Sequence, residues 1–150
     1  MSVEITSINY CPVKSVSFQS IRNCKIKKNI GIIGDRIFAF AKGLDQDQAK
    51  LFEKSPDARK GKWNKILTLK NSPPLNKYNF EFKDEKLTFT IKNKEILTID
   101  INQLSEREAL SNKISELESS LKQPIVLMKN DSLPFFYTSI SNKVDFFNSV

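Results

Sequence analysis

Between residues 78 and 100 the chain reads YNFEFKDEKLTFTIKNKEILTID, three short alternating or β-branched runs separated by KDEK and KNK. Alternation with period two puts every second side chain on one face of an extended strand. Links this short close only as tight hairpins, so the three runs must lie antiparallel as neighbours. No other stretch restricts the fold as strongly. The run KILTLK ahead of them reads as a fourth strand, and EITSINYC, RNCKIKK and RIFAFAK read as three earlier ones. Short strands at near-even spacing predict a mainly antiparallel barrel or sandwich. RIFAFAK is apolar on both faces, with Ile37, Ala39 and Ala41 opposite Phe38 and Phe40, and is expected to be the central strand. The expected core is Ile8, Ile26, Phe38, Phe40, Leu67, Leu69, Phe80 and Phe89.

The remaining segments are read from other signals. GLDQDQAKLFEKSPDARKGKW carries turn residues at both ends and reads as a variable loop with a helical turn around Ala49 to Lys54. Ser105 with Glu108 has the spacing of a capping box, and Leu110, Ile114, Leu117 and Leu121 then recur at helical spacing up to Pro124. That predicts one helix laid on the sheet, followed by IVLM as a buried strand. The fold class expected is therefore mainly β, a barrel-like antiparallel sheet with one C-terminal helix packed on it, α+β overall. Phe135, Phe136, Tyr137, Phe146 and Phe147 crowd the last sixteen residues with no pattern to enclose them, which suggests a chain cut in mid-fold or a surface awaiting a partner.

Composition excludes several functions. Hydrophobic residues at 39% and charged residues at 27% suit a folded domain rather than a disordered one. A chain of 150 residues can bury about 70% of its unfolded surface without metal or disulfide. The net charge is +7, but only Arg22, Arg36, Arg59 and Arg107 of the 24 basic residues are arginines. The lysines form no block, so nucleic-acid binding is not expected. There is no histidine, which removes the commonest general base and metal ligand. Cys11 and Cys24 lack zinc-site spacing and lie on different expected strands, where they could pair in an oxidising compartment but stay thiols in the cytoplasm. No signal peptide and no bilayer-length apolar run is visible, so a cytoplasmic protein without membrane contact is expected.

Two motifs carry chemistry. In Tyr10–Ser15, YCPVKS, Pro12 ends the first strand and sends Lys14 and Ser15 off the sheet rim at a fixed angle. In Gly31–Arg36, GIIGDR, two glycines permit a tight turn before Arg36 enters the central strand. If the two strands meet, an ammonium, a hydroxyl and a guanidinium converge, which suits a phosphate.

These motifs, in this order within Ile5–Lys42 and followed by Phe38, resemble the N-terminal β-barrel domain that precedes MOSC domains, the molybdenum-cofactor sulfurase C-terminal type, as in the amidoxime-reducing component group. The chain departs from that pattern at Cys11, Val16 and Lys70. The resemblance implies residues 1–102 as the MOSC N-terminal β-barrel domain and 103–150 as the helix, strand and aromatic-rich lead-in to a missing MOSC domain. It implies that Lys14, Ser15 and Arg36 hold the phosphate of the molybdenum cofactor (molybdopterin). The molybdenum-ligating cysteine would lie in the MOSC domain, so no catalytic or metal residue is expected here, and Cys24 is expected to be a small core residue. The partners implied are a MOSC catalytic domain, in the same or a neighbouring chain, and an electron-transfer partner. The whole would be an oxidoreductase or a sulfurtransferase, inactive as these 150 residues alone. Two alternatives stay open: a small-barrel binder of single-stranded nucleic acid using Phe80, Phe82 and Phe89 beside Lys83, Lys86 and Lys92, and a protein-interaction module docking by its aromatic C-terminus.

Overall fold

The structure, a computed structural model, describes residues 4–135. Nine strands and three helices follow in the order β1 (Ile8–Tyr10), β2 (Gln19–Ile21), β3 (Ile26–Lys27), β4 (Gly31–Ile32), β5 (Phe38–Lys42), α1 (Gln46–Lys54), α2 (Pro56–Arg59), β6 (Tyr78–Lys83), β7 (Lys86–Ile91), β8 (Lys94–Asp100), α3 (Leu104–Leu117) and β9 (Ile125–Lys129). The architecture is strand-rich α+β: antiparallel β1-β2, β3-β4 and β5-β9 pairs, a β6-β7-β8 sheet, and α3 packed against β8 and β9.

The β6-β7-β8 meander is the one its sequence demands. Asp84 and Glu85 in one link and Lys92 and Asn93 in the other all have positive φ, the backbone of two-residue hairpins whose twist matches the strands they join. Register pairs Phe80 with Phe89, and their rings stack with centroids 5.0 Å apart. Both are fully buried, so neither can offer a face to a nucleic-acid base.

Strand β5 is central, as its two apolar faces require. Phe38 and Phe40 point into the main core with Leu67, Tyr78, Phe80, Phe89, Leu110 and Ile114. Ala39 and Ala41 point the other way, into a second cluster with Ala49, Phe52, Ile66, Met128 and Phe135. Beside β5 on one edge runs β9, antiparallel; Val13 bridges Phe38 in parallel and Ile66 bridges Ala41.

Several expectations are corrected. The stretch after Gly43 is helical: Asp45 and Gln48 form a complete capping box on α1, with Gln48 N–H donating to Asp45 Oδ1 at 2.8 Å, and Phe52 then anchors the helix on the alanine face of β5. KILTLK is not a strand. After Ile66, Thr68 N–H donates to Asn71 Oδ1 at 2.8 Å and the chain turns, leaving Leu69 exposed. Ile26 is 76% exposed because β3 and β4 pair only with each other, and Ile8 is half-buried. Helix α3 starts after Gln103 with no side-chain cap, so Ser105 and Glu108 form no capping box; Glu106 instead accepts from Asp100 N–H at 2.6 Å. It ends at Leu117, well before Pro124, where Glu118 turns inward to the Tyr78 hydroxyl and the Lys77 ammonium. Of its stripe, Leu110 and Ile114 are buried and Leu117 is exposed. Cys24 lies half-buried in the link between β2 and β3, while Cys11 is the buried thiol, and the two are unpaired. Phe135 is fully enclosed, with the Arg59 guanidinium 4.1 Å from its ring centroid. Phe136, Tyr137, Phe146 and Phe147 lie outside the described residues.

Candidate anion-binding site

The two motifs meet on one edge of β5. Phe38 N–H donates to Pro12 C=O at 3.0 Å and Lys14 N–H to Phe38 C=O at 2.9 Å, while Arg36 N–H reaches Cys11 C=O at 2.7 Å. This parallel ladder uses the proline carbonyl and so loses nothing by its missing N–H. Val13 is buried beneath it, and the chain then turns at Lys14–Ser15 before Val16 is buried again.

Ser15 and Arg36 both have left-handed backbone, with φ of 67° and 52°. For residues with a Cβ that conformation costs roughly 1–2 kcal/mol each, and it persists only where the surroundings over-determine it. Asp35 supplies much of that determination. Its Oδ1 accepts Cys11 N–H at 3.0 Å and its Oδ2 pairs with Arg36 Nη1 at 3.0 Å, so one carboxylate ties the two motifs together. Gly34, at φ +88°, is fixed by space as well as by backbone: a Cβ there would meet the Tyr10 hydroxyl oxygen at 3.3 Å.

Electrostatics follow from this packing. Lys14 is 7% exposed. Burial, then the neighbouring Arg36 charge, pushes its ammonium down to about 8, with Cys11 acting in the opposite direction. Burial raises the Asp35 carboxyl more than Arg36 and the Cys11 N–H lower it. Burial followed by the nearby Asp35 charge pushes Tyr10 up to about 12, and burial pushes the Cys11 thiol up to about 11. Two cations that raise each other's energy in a partly desolvated place are stabilised together by one dianion.

Of the three residues expected here, the fold brings Lys14 and Arg36 onto one ladder with Ser15 at its turn. The sequence reading missed Asp35 as the tie, because an Asp-Arg pair after a glycine turn looks like a surface ion pair. It missed Phe18, whose ring centroid lies 5.4 Å from the Arg36 guanidinium carbon; a single phenylalanine in SFQS gives no signal.

These donors fit the phosphate end of the cofactor that the resemblance implies. Cys11 beside this site is buried, with its thiol donating to Val13 C=O at 2.6 Å. Among the described residues no group of three His, Cys, Asp or Glu could hold a metal ion, and no helix is long and apolar enough to cross a membrane. A cavity of about 300 Å³ lies elsewhere, between α1, α3 and β9. In its lining Arg107 pairs with Glu53, and Gln46 donates to Glu108 at 3.1 Å. Comparison of the chain with protein-family models, characterised proteins and solved structures finds no match.

Proposed function

We propose that this chain is a phosphate-anchoring unit, the N-terminal part of a MOSC-type molybdenum-cofactor oxidoreductase or sulfurtransferase. One observation carries the reading: buried Lys14 and half-buried Arg36 stand together beside one parallel ladder, with Ser15 at the adjoining turn. Arg36 gives a planar fork to phosphate oxygens, Lys14 a point charge and Ser15 a hydroxyl. Asp35 holds the guanidinium in place. When bound, the cofactor supplies oxo or sulfur transfer at its metal, and the groups of this chain grip the far end and carry no proton for that step. A MOSC catalytic domain, in the same or a neighbouring chain, would provide the metal ligand, and an electron-transfer partner would serve the oxidoreductase.

The test has two arms. Calorimetric titration of the chain with inorganic phosphate should show binding that Arg36→Ala weakens by about 1.5–3 kcal/mol, with Lys14→Ala weaker in effect and its defect shrinking as salt is raised. In the protein joined to its MOSC domain, Arg36→Ala should lower molybdenum-cofactor content in chains that still melt cooperatively. Full content in the double variant would refute the reading.

A further inference from the structure

Phe18 stands beside this rim in an unusual way for an exposed aromatic residue. It is 55% exposed, yet both of its chain neighbours are tied to β6. Ser17 N–H donates to Tyr78 C=O at 3.0 Å and Ser17 Oγ to Asn76 C=O, while the Gln19 amide donates to Phe80 C=O. Side chains alternate along extended backbone, so anchoring Ser17 and Gln19 inward fixes Phe18 outward. Its ring meets the Arg36 guanidinium at 5.4 Å, close enough for a cation–π contact. The fold thus spends three hydrogen bonds on holding an apolar ring in solvent, next to the guanidinium that would grip a phosphate.

From this arrangement we infer that Phe18 is a stacking platform, and that the rim selects phosphate monoesters carrying a planar aromatic ring system over phosphate alone. The inference rests on the phosphate reading of Lys14 and Arg36 and adds a second contact to it. A ring laid on the exposed part of Phe18 covers apolar surface while its phosphate reaches Arg36, so the two contacts act on one ligand. Stacking of this kind is tolerant of ring identity because every aromatic ring has a π-face. It therefore sets a ligand class rather than one compound.

The experiment uses the whole chain, with riboflavin 5′-phosphate as a fluorescent ring-bearing probe, riboflavin as the ring without phosphate, and inorganic phosphate as competitor. Wild type should bind riboflavin 5′-phosphate with quenching of its fluorescence, inorganic phosphate should displace it, and riboflavin should bind at least about tenfold more weakly. Phe18→Ala should weaken riboflavin 5′-phosphate about tenfold while leaving inorganic phosphate within about twofold, because Asp35 still holds Arg36. Phe18→Leu keeps apolar bulk without the ring and should behave like the alanine variant; melting curves confirm that each variant is folded. Equal affinity of wild type and Phe18→Ala for the ring-bearing probe, with phosphate still bound, overturns the platform and leaves the rim standing. Loss of both probes from the wild-type chain overturns the rim and the platform together.

Discussion

At the scale of single residues, burial rather than charge sets the chemistry. Cys11 is enclosed, with its thiol pushed up to about 11, whereas Cys24 is half-buried in a link. A thiol reagent at neutral pH should therefore modify one cysteine rapidly in the native chain, Cys24, and both in denaturant, as mass spectrometry of the labelled peptides would show. Lys14 gives a pH signature of opposite sign for folding and for binding. Its ammonium titrates near 8 in the folded chain against 10.5 unfolded, so the unfolded state binds more protons in that window and the Lys14 contribution to stability rises from pH 8 to 10.5. An anion on the rim favours the charged form, so affinity should fall as pH rises through 8 and binding should take up protons there. Calorimetry with sulfate, whose charge is constant across this range, in two buffers of different ionisation enthalpy measures that uptake; Lys14→Met should abolish it. The turns of the backbone at Ser15 and before Arg36 were legible in the sequence because proline and glycine mark such places. Buried Asp35 was not, since its role depends on Cys11 far earlier in the chain.

At the scale of elements, period two was most reliable where a link with one workable geometry reinforced it. KDEK and KNK supply such links, and the meander they join has the expected order. KILTLK has the same composition, but Asn71 captures the Thr68 backbone and turns the chain away. The capping box of α1 was present in the letters as Asp45 and Gln48, hidden among turn residues that also mark loops. RNCKIKK alternates well yet projects as half of a two-stranded ribbon, because local pattern says nothing about what lies opposite. A pair of substitutions separates the two cases. Phe40→Ala, in the middle of β5, should cost about 3–5 kcal/mol, and Ile26→Ala, in β3, should stay within about 0.5 kcal/mol. Urea unfolding of the two variants checks this, and comparable losses would mean that the ribbon is packed in solution.

At the scale of the whole molecule, the fold class was legible because short alternating runs and one amphipathic helix leave few alternatives. The distribution of the ladders was not, because β5 finds its partner in β9 with most of the chain in between. That partner is indispensable: Leu127 and Met128 of β9 enter the main and the second cluster respectively. A chain ending at residue 124 should accordingly lack a cooperative thermal transition, measured by circular dichroism, although the meander contains its own pairing. The outer edge of β9 is covered by side chains: Ser111 Oγ accepts Leu127 N–H at 3.2 Å, Arg107 donates to Leu127 C=O at 2.6 Å, and Glu53 accepts Lys129 N–H at 2.8 Å. The position of β9 also sets a timetable. The meander of neighbouring strands can close early, but the β5 edge emerges during synthesis unpaired and waits for well over half of the described chain before β9 arrives. Pairings this distant are slow and exposed to aggregation while they wait, so the yield of folded protein should depend on how long a nascent chain is shielded between the appearance of Phe38 and that of Lys129.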